Sequence, residues 1–149
     1  LIVLQRNTPL KDIISTGIYI NSTVSAALLK NIFYPKTPLH DGAVVINPKE
    51  CRLEAAACLL PLTQNQNIDM SLGTRHRSAI GMSENGDCLV LVVSEETGVI
   101  SYAFEGEITR FMNEEKLRDV LYDMLEEPDS IIMDALSQKA GNKNTNLEK

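Results

Sequence analysis

The chain has 149 residues, 44% hydrophobic and 23% charged, with 8 glycines and 6 prolines; this is the composition of one ordinary globular domain and excludes a disordered, collagenous or disulfide-scaffold protein. A formal net charge of −6 repels nucleic acid and anionic membrane, so nucleic acid is not an expected partner and any polyanionic ligand must meet a focused site. The cysteines, Cys51, Cys58 and Cys88, are odd in number and lack C-x-x-C or Cys/His metal spacing, which predicts buried, reduced thiols in an intracellular compartment.

Leu1 to Leu4 read as a buried strand, and because the chain opens inside it on Leu rather than Met, a longer parent protein is expected. No apolar run reaches the ~18 residues a membrane span requires. Thr8-Pro9 opens a short helical stretch that ends near Thr16-Gly17, with proline near its start and glycine beyond its end. A second helix, capped by Asn21 or Ser22, carries Val24, Leu28, Leu29, Ile32 and Phe33 at helical spacing until Pro35 stops it. Pro35 to Asp41 is a stiff extended connection. It delivers His40-Asp41-Gly42 to the mouth of a strand, Ala43 to Ile46, which turns at Asn47-Pro48-Lys49-Glu50 and pairs with Arg52 to Leu59.

Thr63 to Asp69 is a polar loop, and Gly73-Thr74 leads into a helix over Arg75 to Ser83 capped by Thr74. Cys88 to Ser94 is aliphatic, as in the centre of a covered sheet. Val99 to Phe104 and Glu107 to Phe111 form a hairpin around Glu105-Gly106. Asn113 caps the strongest helix, with Leu117, Val120, Leu121, Met124 and Leu125 in one stripe. Pro128 ends it, a short helix covers Asp129 to Ser137, and the polar remainder to Lys149 reads as disordered. These elements predict an α/β domain over 1–127, a mixed central sheet covered by helices, with 128–149 as an appendage.

Three polar clusters sit at strand ends or helix starts. His40-Asp41-Gly42 pairs an imidazole with a carboxylate suited to a divalent ion or to orienting a hydroxyl, and Gly42 permits close backbone approach; the same residues also make an ordinary turn. Gly73-Thr74-Arg75-His76-Arg77 puts two guanidiniums, an imidazole and a hydroxyl where free helix amides already favour anions, unless Thr74 is only a cap in a solvated basic turn. Ser94-Glu95-Glu96-Thr97-Gly98 follows the aliphatic strand, where Ser94 suits phosphate and Glu96 a metal, or the segment is an acidic surface turn. Together the clusters describe metal-assisted handling of a phosphorylated ligand. The P-loop and Rossmann glycine patterns are absent.

At Asp41-Gly42-Ala43 and Arg75-His76-Arg77 the sequence resembles the diadenylate cyclase (DAC) domain family, which makes cyclic di-AMP in bacteria and some archaea. Pro38-Leu39-His40, Gly73-Thr74, Ser94 to Gly98 and Ser25 to Pro38 extend the resemblance, which runs from about Leu1 to Leu125 and looks closest to the membrane-anchored subfamily. It implies condensation of two ATP into cyclic di-AMP with release of two pyrophosphates, in a face-to-face homodimer whose halves each hold one ATP. Catalytic roles fall on Asp41, near the ribose 3′-hydroxyl, and on Arg75 and His76. Thr74, Arg75, His76 and Ser94 would hold the triphosphate, with Gly42, Ala43, Gly73, Arg77 and Glu95 also in the ATP site and Leu60 near the adenine. His40 and Glu96 would bind Mg²⁺ or Mn²⁺. The resemblance further implies a cytoplasmic domain of a bacterial cell-membrane protein with regulatory protein partners. Leu59 stands where many relatives carry Tyr, and Val99-Ile100-Ser101-Tyr102 lacks a second glycine common among them. The residues themselves leave open a nucleotide-binding regulatory module without turnover and a metal phosphohydrolase, although only His40 and His76 are available as histidine ligands.

Overall fold

The aliphatic stretches pair first, because strands buried on both faces need apolar side chains at every position. In the computed structural model, which describes residues 1–125, β1 (Ile2–Gln5) lies at the middle of a seven-stranded sheet. The others are β2 (Ile18–Thr23), β3 (Ala43–Asn47), β4 (Arg52–Cys58), β5 (Cys88–Val93), β6 (Ile100–Phe104) and β7 (Glu107–Met112), in the order β2-β4-β3-β1-β5-β6-β7. β1 runs parallel to β3 and antiparallel to β5, and the remaining pairings are antiparallel. The sheet is therefore mixed, as expected.

Alternation along the central strands divides the core in two. Val3, Val45, Val90 and Val92 face α1 (Lys11–Ile14) and α3 (Thr74–Asn85), where Ile13, Ile14, Ala79, Ile80 and Met82 meet them. Leu4, Val44, Ile46 and Leu89 face α2 (Ala26–Ile32) and α4 (Glu114–Met124), meeting Ile32 and Leu121. The result is three layers, helix, sheet and helix. Cys51, Cys58 and Cys88 are buried and free; burial pushes the Cys58 thiol up to about 11 and Cys88 up to about 12. Neither is a nucleophile near neutral pH. Among the described residues no helix is long and apolar enough to cross a membrane.

Two expectations about helix caps fail, and the connection over 35–41 is a run of turns rather than extended, the Thr37 amide bonding the Tyr34 carbonyl and the His40 amide the Thr37 carbonyl at 3.3 Å each. Asn21 and Ser22 do not cap a helix; they lie in β2, which pairs with β4 through Ile18↔Ala56 and Thr23↔Arg52. Asn21 takes φ +48 at an irregularity in this pairing, and its carbonyl and side-chain oxygens accept hydrogen bonds from Arg52. The α2 cap is Ser25, whose hydroxyl accepts from the Leu28 amide at 3.1 Å, and the helix ends at Ile32, before Pro35. The second failure is at α3, where Gly73 is the N-cap and Thr74 the first helical residue, with no side chain capping the turn. Asn113 does cap α4, accepting from the Lys116 amide at 2.8 Å. The expectations for Pro128, the helix over 129–137, the tail and the boundary at 127 lie outside the described residues.

Gly81 locks α3 to the loop beneath it. A Cβ there would lie 2.3 Å from the Pro61 carbonyl oxygen and 2.5 Å from the Thr63 nitrogen, both backbone atoms, and the Thr63 amide also donates to the Arg77 carbonyl at 3.2 Å. Alanine's propensity advantage of ~1 kcal/mol should lose to this overlap. Gly81→Ala is expected to cost ~1–3 kcal/mol of stability, read as a lower midpoint of thermal unfolding.

Candidate active site

Asp41 is positioned by its neighbours on both sides. Upstream, the His40 amide bonds the Thr37 carbonyl at 3.3 Å, and His40 Nδ1 lies 2.8 Å from the same oxygen. Downstream, Gly42 has φ +83, and a Cβ on it would lie 2.7 Å from the Cys58 carbonyl oxygen and 2.9 Å from the Ala57 carbonyl carbon. Glycine is thus required by the fold itself: β4 fills the space a side chain would occupy. β4 reaches this position through two irregularities in its register with β3, and Ala57 sits at φ +53 beside the second. Bulges of this kind bend a strand and re-aim the side chains beside them.

Arg75, in the first turn of α3, links two chain segments distant in sequence. One guanidinium nitrogen is 3.2 Å from Asp41 Oδ1 and the other 2.5 Å from Glu95 Oε2, just past β5. His40 Nε2 lies 3.4 Å from Asp41 Oδ1. Beyond Arg75 opens a cleft of about 290 Å³ walled by Gly73, Thr74 and His76 of the α3 start, by Ser71, by Ser94 to Thr97, and by Arg110 of β7. The α3 N-terminus faces it uncapped, and no atom lies within 4 Å of a Cβ built on Gly73. Free amides and the positive end of the helix dipole therefore remain available to an anion. Ser94 closes its turn by accepting from the Thr97 amide at 3.3 Å, which leaves its hydroxyl proton to donate outward.

The structure thus brings Asp41, His40, Arg75 and Glu95 into one chain of contacts, and Gly73, Thr74, His76, Ser94 and Glu96 into the adjoining cleft. Arg77 points elsewhere, its Nε–H donating to the Leu72 carbonyl at 3.2 Å. Ala43 is fully buried in β3, and Leu60 packs on the α3-side core. Among the described residues no three His, Cys, Asp or Glu side chains converge as a metal site. Arg110 was not among the candidates, since no local motif marks it.

His76 is only 7% exposed, and its Nε2 is buried without a hydrogen-bond partner. Burial, with the Arg110 charge adding, holds its imidazole below the ordinary 6.5. The folded state therefore binds this proton less readily than the unfolded chain. The resulting stabilisation is complete above pH 6.5 and is lost as pH falls from there through the folded value. Thermal unfolding followed from about pH 7.5 down to about pH 5.5 should show that loss, with a flatter profile for His76→Gln.

The sequence and the fold have counterparts among known proteins. Residues 1–108 match the family model described as DisA bacterial checkpoint controller nucleotide-binding (DAC). Over 121 residues the chain is 50% identical to the cyclic di-AMP synthase CdaA of Bacillus subtilis, covering 81% of this chain and 44% of that protein. Over 106 residues it is 53% identical to the diadenylate cyclase CdaS of Bacillus thuringiensis, covering 71% of this chain and 52% of that protein. The chain thus spans about half the length of these curated relatives. The crystal structure of a DacA double mutant from Staphylococcus aureus superposes with a TM-score of 0.80 at 43% identity, covering 85% of this chain and 83% of that one. A hypothetical membrane spanning protein from Bacillus cereus superposes with a TM-score of 0.70 at 49% identity, covering 75% and 54%.

Proposed function

The chain belongs to the DAC family of nucleotide-binding domains, and on that premise we propose that it is a diadenylate cyclase domain condensing two ATP into cyclic di-AMP. Each ribose 3′-oxygen forms a bond to the α-phosphorus of the other ATP, the bond from that phosphorus to the β-phosphate bridge breaks, and pyrophosphate leaves. The observation that carries this reading is the Asp41–Arg75–Glu95 chain at the rim of an uncapped helix N-terminus. It sets a carboxylate for the hydroxyl beside donors for the phosphates, the parts that phosphoryl transfer requires. The names of the relatives, cyclic di-AMP synthase and diadenylate cyclase, support the same reaction.

In this reading Asp41 orients the 3′-hydroxyl or takes its proton, while Thr74, His76 and Ser94 hold phosphate oxygens. The Asp41 side chain is 79% exposed, so its own chain leaves it open to a second ATP carried by a facing copy, which supports a face-to-face homodimer. His40 and Glu96 would hold Mg²⁺ or Mn²⁺. Because the Thr37 carbonyl can only accept, the 2.8 Å contact puts the proton on Nδ1 and leaves the Nε2 lone pair for a cation. Mg²⁺ takes one or two carboxylates from a protein and the rest from phosphate and water; the Glu96 carboxylate fits that pattern, while the His40 nitrogen favours Mn²⁺ of the two ions. When bound, the ion would neutralise charge on the triphosphate. A membrane-tethered parent is part of the same proposal, supported by the likeness to the Bacillus cereus membrane spanning protein.

The test is incubation with ATP, with and without each metal, followed by mass analysis. Cyclic di-AMP is expected, at a rate that rises faster than linearly with protein concentration while the dimer is assembling. No cyclic dinucleotide at high protein concentration would make the chain a nucleotide-binding module. Inorganic phosphate as the main product would make it a phosphohydrolase.

A further inference from the structure

We propose that Arg110 is a phosphate-binding residue of this site, the cation that receives the β- and γ-phosphates of ATP and then the pyrophosphate leaving group. The inference deepens the cyclase reading and rests on it for the identity of that leaving group.

Arg110 lies on the same face of β7 as Ile108, which packs on the α3-side core, and a backbone irregularity lies beside it. Tyr102 of β6 pairs with Thr109, and Ile100 with Met112, so Ser101 alone on β6 opposes both Arg110 and Phe111 on β7. That is a β-bulge, a device that re-aims side chains beside sites. Phe111 within it takes φ +62, a conformation costly for an aromatic residue and held only where surrounding structure enforces it. The Arg110 guanidinium stacks 5.0 Å from the centre of the Phe111 ring and lines the same cleft as Thr74 and Ser94.

Charge balance shows why the cleft needs it. Arg75 is already neutralised by Asp41 and Glu95, and Glu96 adds another carboxylate to the wall. Asp41, Glu95 and Glu96 outnumber Arg75, so these side chains sum to −2; Arg110 brings the sum to −1 and is the lining guanidinium not already held by a carboxylate. Arg110 makes no ion pair among the described residues; Asp69, whose carboxyl the Ser71 amide holds at 2.8 Å, feels its charge only at longer range. Arg110 Nε is buried with no hydrogen-bond partner, and so is Nε2 of His76, which lines the same cleft, in a residue more than nine-tenths buried. Buried polar nitrogens are rarely left unpaired. Two of them in one cleft with an uncapped helix start point to an anion bound there. The effect on His76 of the Arg110 charge shows that the two side chains share one electrostatic environment.

Binding to Arg110→Gln is measured by calorimetry with ATP, AMP and inorganic pyrophosphate. A lost charge-assisted contact should weaken pyrophosphate and ATP by ~10- to 100-fold and leave AMP within a factor of about two. Equal weakening of all three ligands, no weakening of any, or no pyrophosphate binding by the unsubstituted protein overturns the proposal. A second measurement needs no variant. Phenylglyoxal modification of Arg110, mapped by mass spectrometry, should be slowed by pyrophosphate and not by AMP; equal rates overturn the assignment. If the protein makes no cyclic dinucleotide yet pyrophosphate still binds through Arg110, the cyclase reading falls and the anion site stands.

Discussion

Asp41→Asn is expected to lower cyclic di-AMP formation by ~10²–10⁴-fold, the usual contribution of a positioned acid–base group, without weakening ATP binding. Asparagine keeps the size of the side chain and an Oδ1 that can still accept from Arg75 at the observed 3.2 Å, so the rim keeps its shape. It removes one negative charge beside a cleft that must hold a polyphosphate. Coulombic repulsion of ATP therefore falls, and affinity should hold or rise slightly. A side chain 79% exposed also contributes little to folding, so the unfolding midpoint should stay put. Lost turnover, preserved affinity and preserved stability identify an interaction made in the transition state. The check is product by mass spectrometry beside calorimetry with a non-hydrolysable ATP analogue. Turnover at the parent rate would remove Asp41 from the mechanism.

The residues also explain which parts of this architecture could be read directly from the chain. Six strands announce themselves because Leu1 to Leu4, Ala43 to Ile46 and Cys88 to Val93 are apolar without interruption, and the hairpins carry turn residues between them. β2 does not, because Asn21-Ser22-Thr23 has the chemistry of a helix cap. Only pairing with β4, about thirty residues further along the chain, makes it a strand. The site shows the same division. Asp41, Arg75, His76 and Ser94 fall in motifs whose residue types already suit phosphate chemistry. Consecutive helical residues point about 100° apart, so Arg75, His76 and Arg77 cannot all face one cleft, and Arg77 turns to Leu72 instead. Arg110 sits in the hairpin arm Ile108-Thr109-Arg110-Phe111, where no motif marks it; only the packing of that face of β7 on the α3 side of the sheet brings its guanidinium to the cleft. Gly42 is legible as necessary, but its reason, the β4 backbone packed against it, belongs to tertiary structure alone.

The largest effect after Asp41 should come from Arg75, and the sizes of the competing terms say where it will appear. Its contacts to Asp41 and Glu95 are partly or largely exposed on the carboxylate side, and exposed ion pairs stabilise folds by only ~0–1 kcal/mol. Stability should hardly register the change. Positioning is different: a misplacement near 1 Å can cost ~10²-fold in rate. Arg75→Ala leaves two carboxylates facing each other with nothing between them, so kcat should fall by ~10²-fold or more while the KM for ATP rises as like charges gather around the phosphates. Arg75→Lys discriminates further. An ammonium restores the charge, but it cannot span Asp41 and Glu95 with the two-pronged geometry of a guanidinium. KM should therefore recover more than kcat does. A double-mutant cycle with Glu95→Gln tests the bridge itself: if Arg75 works by joining the two segments, the pair should couple by ~0.5–3 kcal/mol in kcat/KM. Additive effects would mean that Arg75 serves only as a phosphate ligand and that the bridge has no part in catalysis.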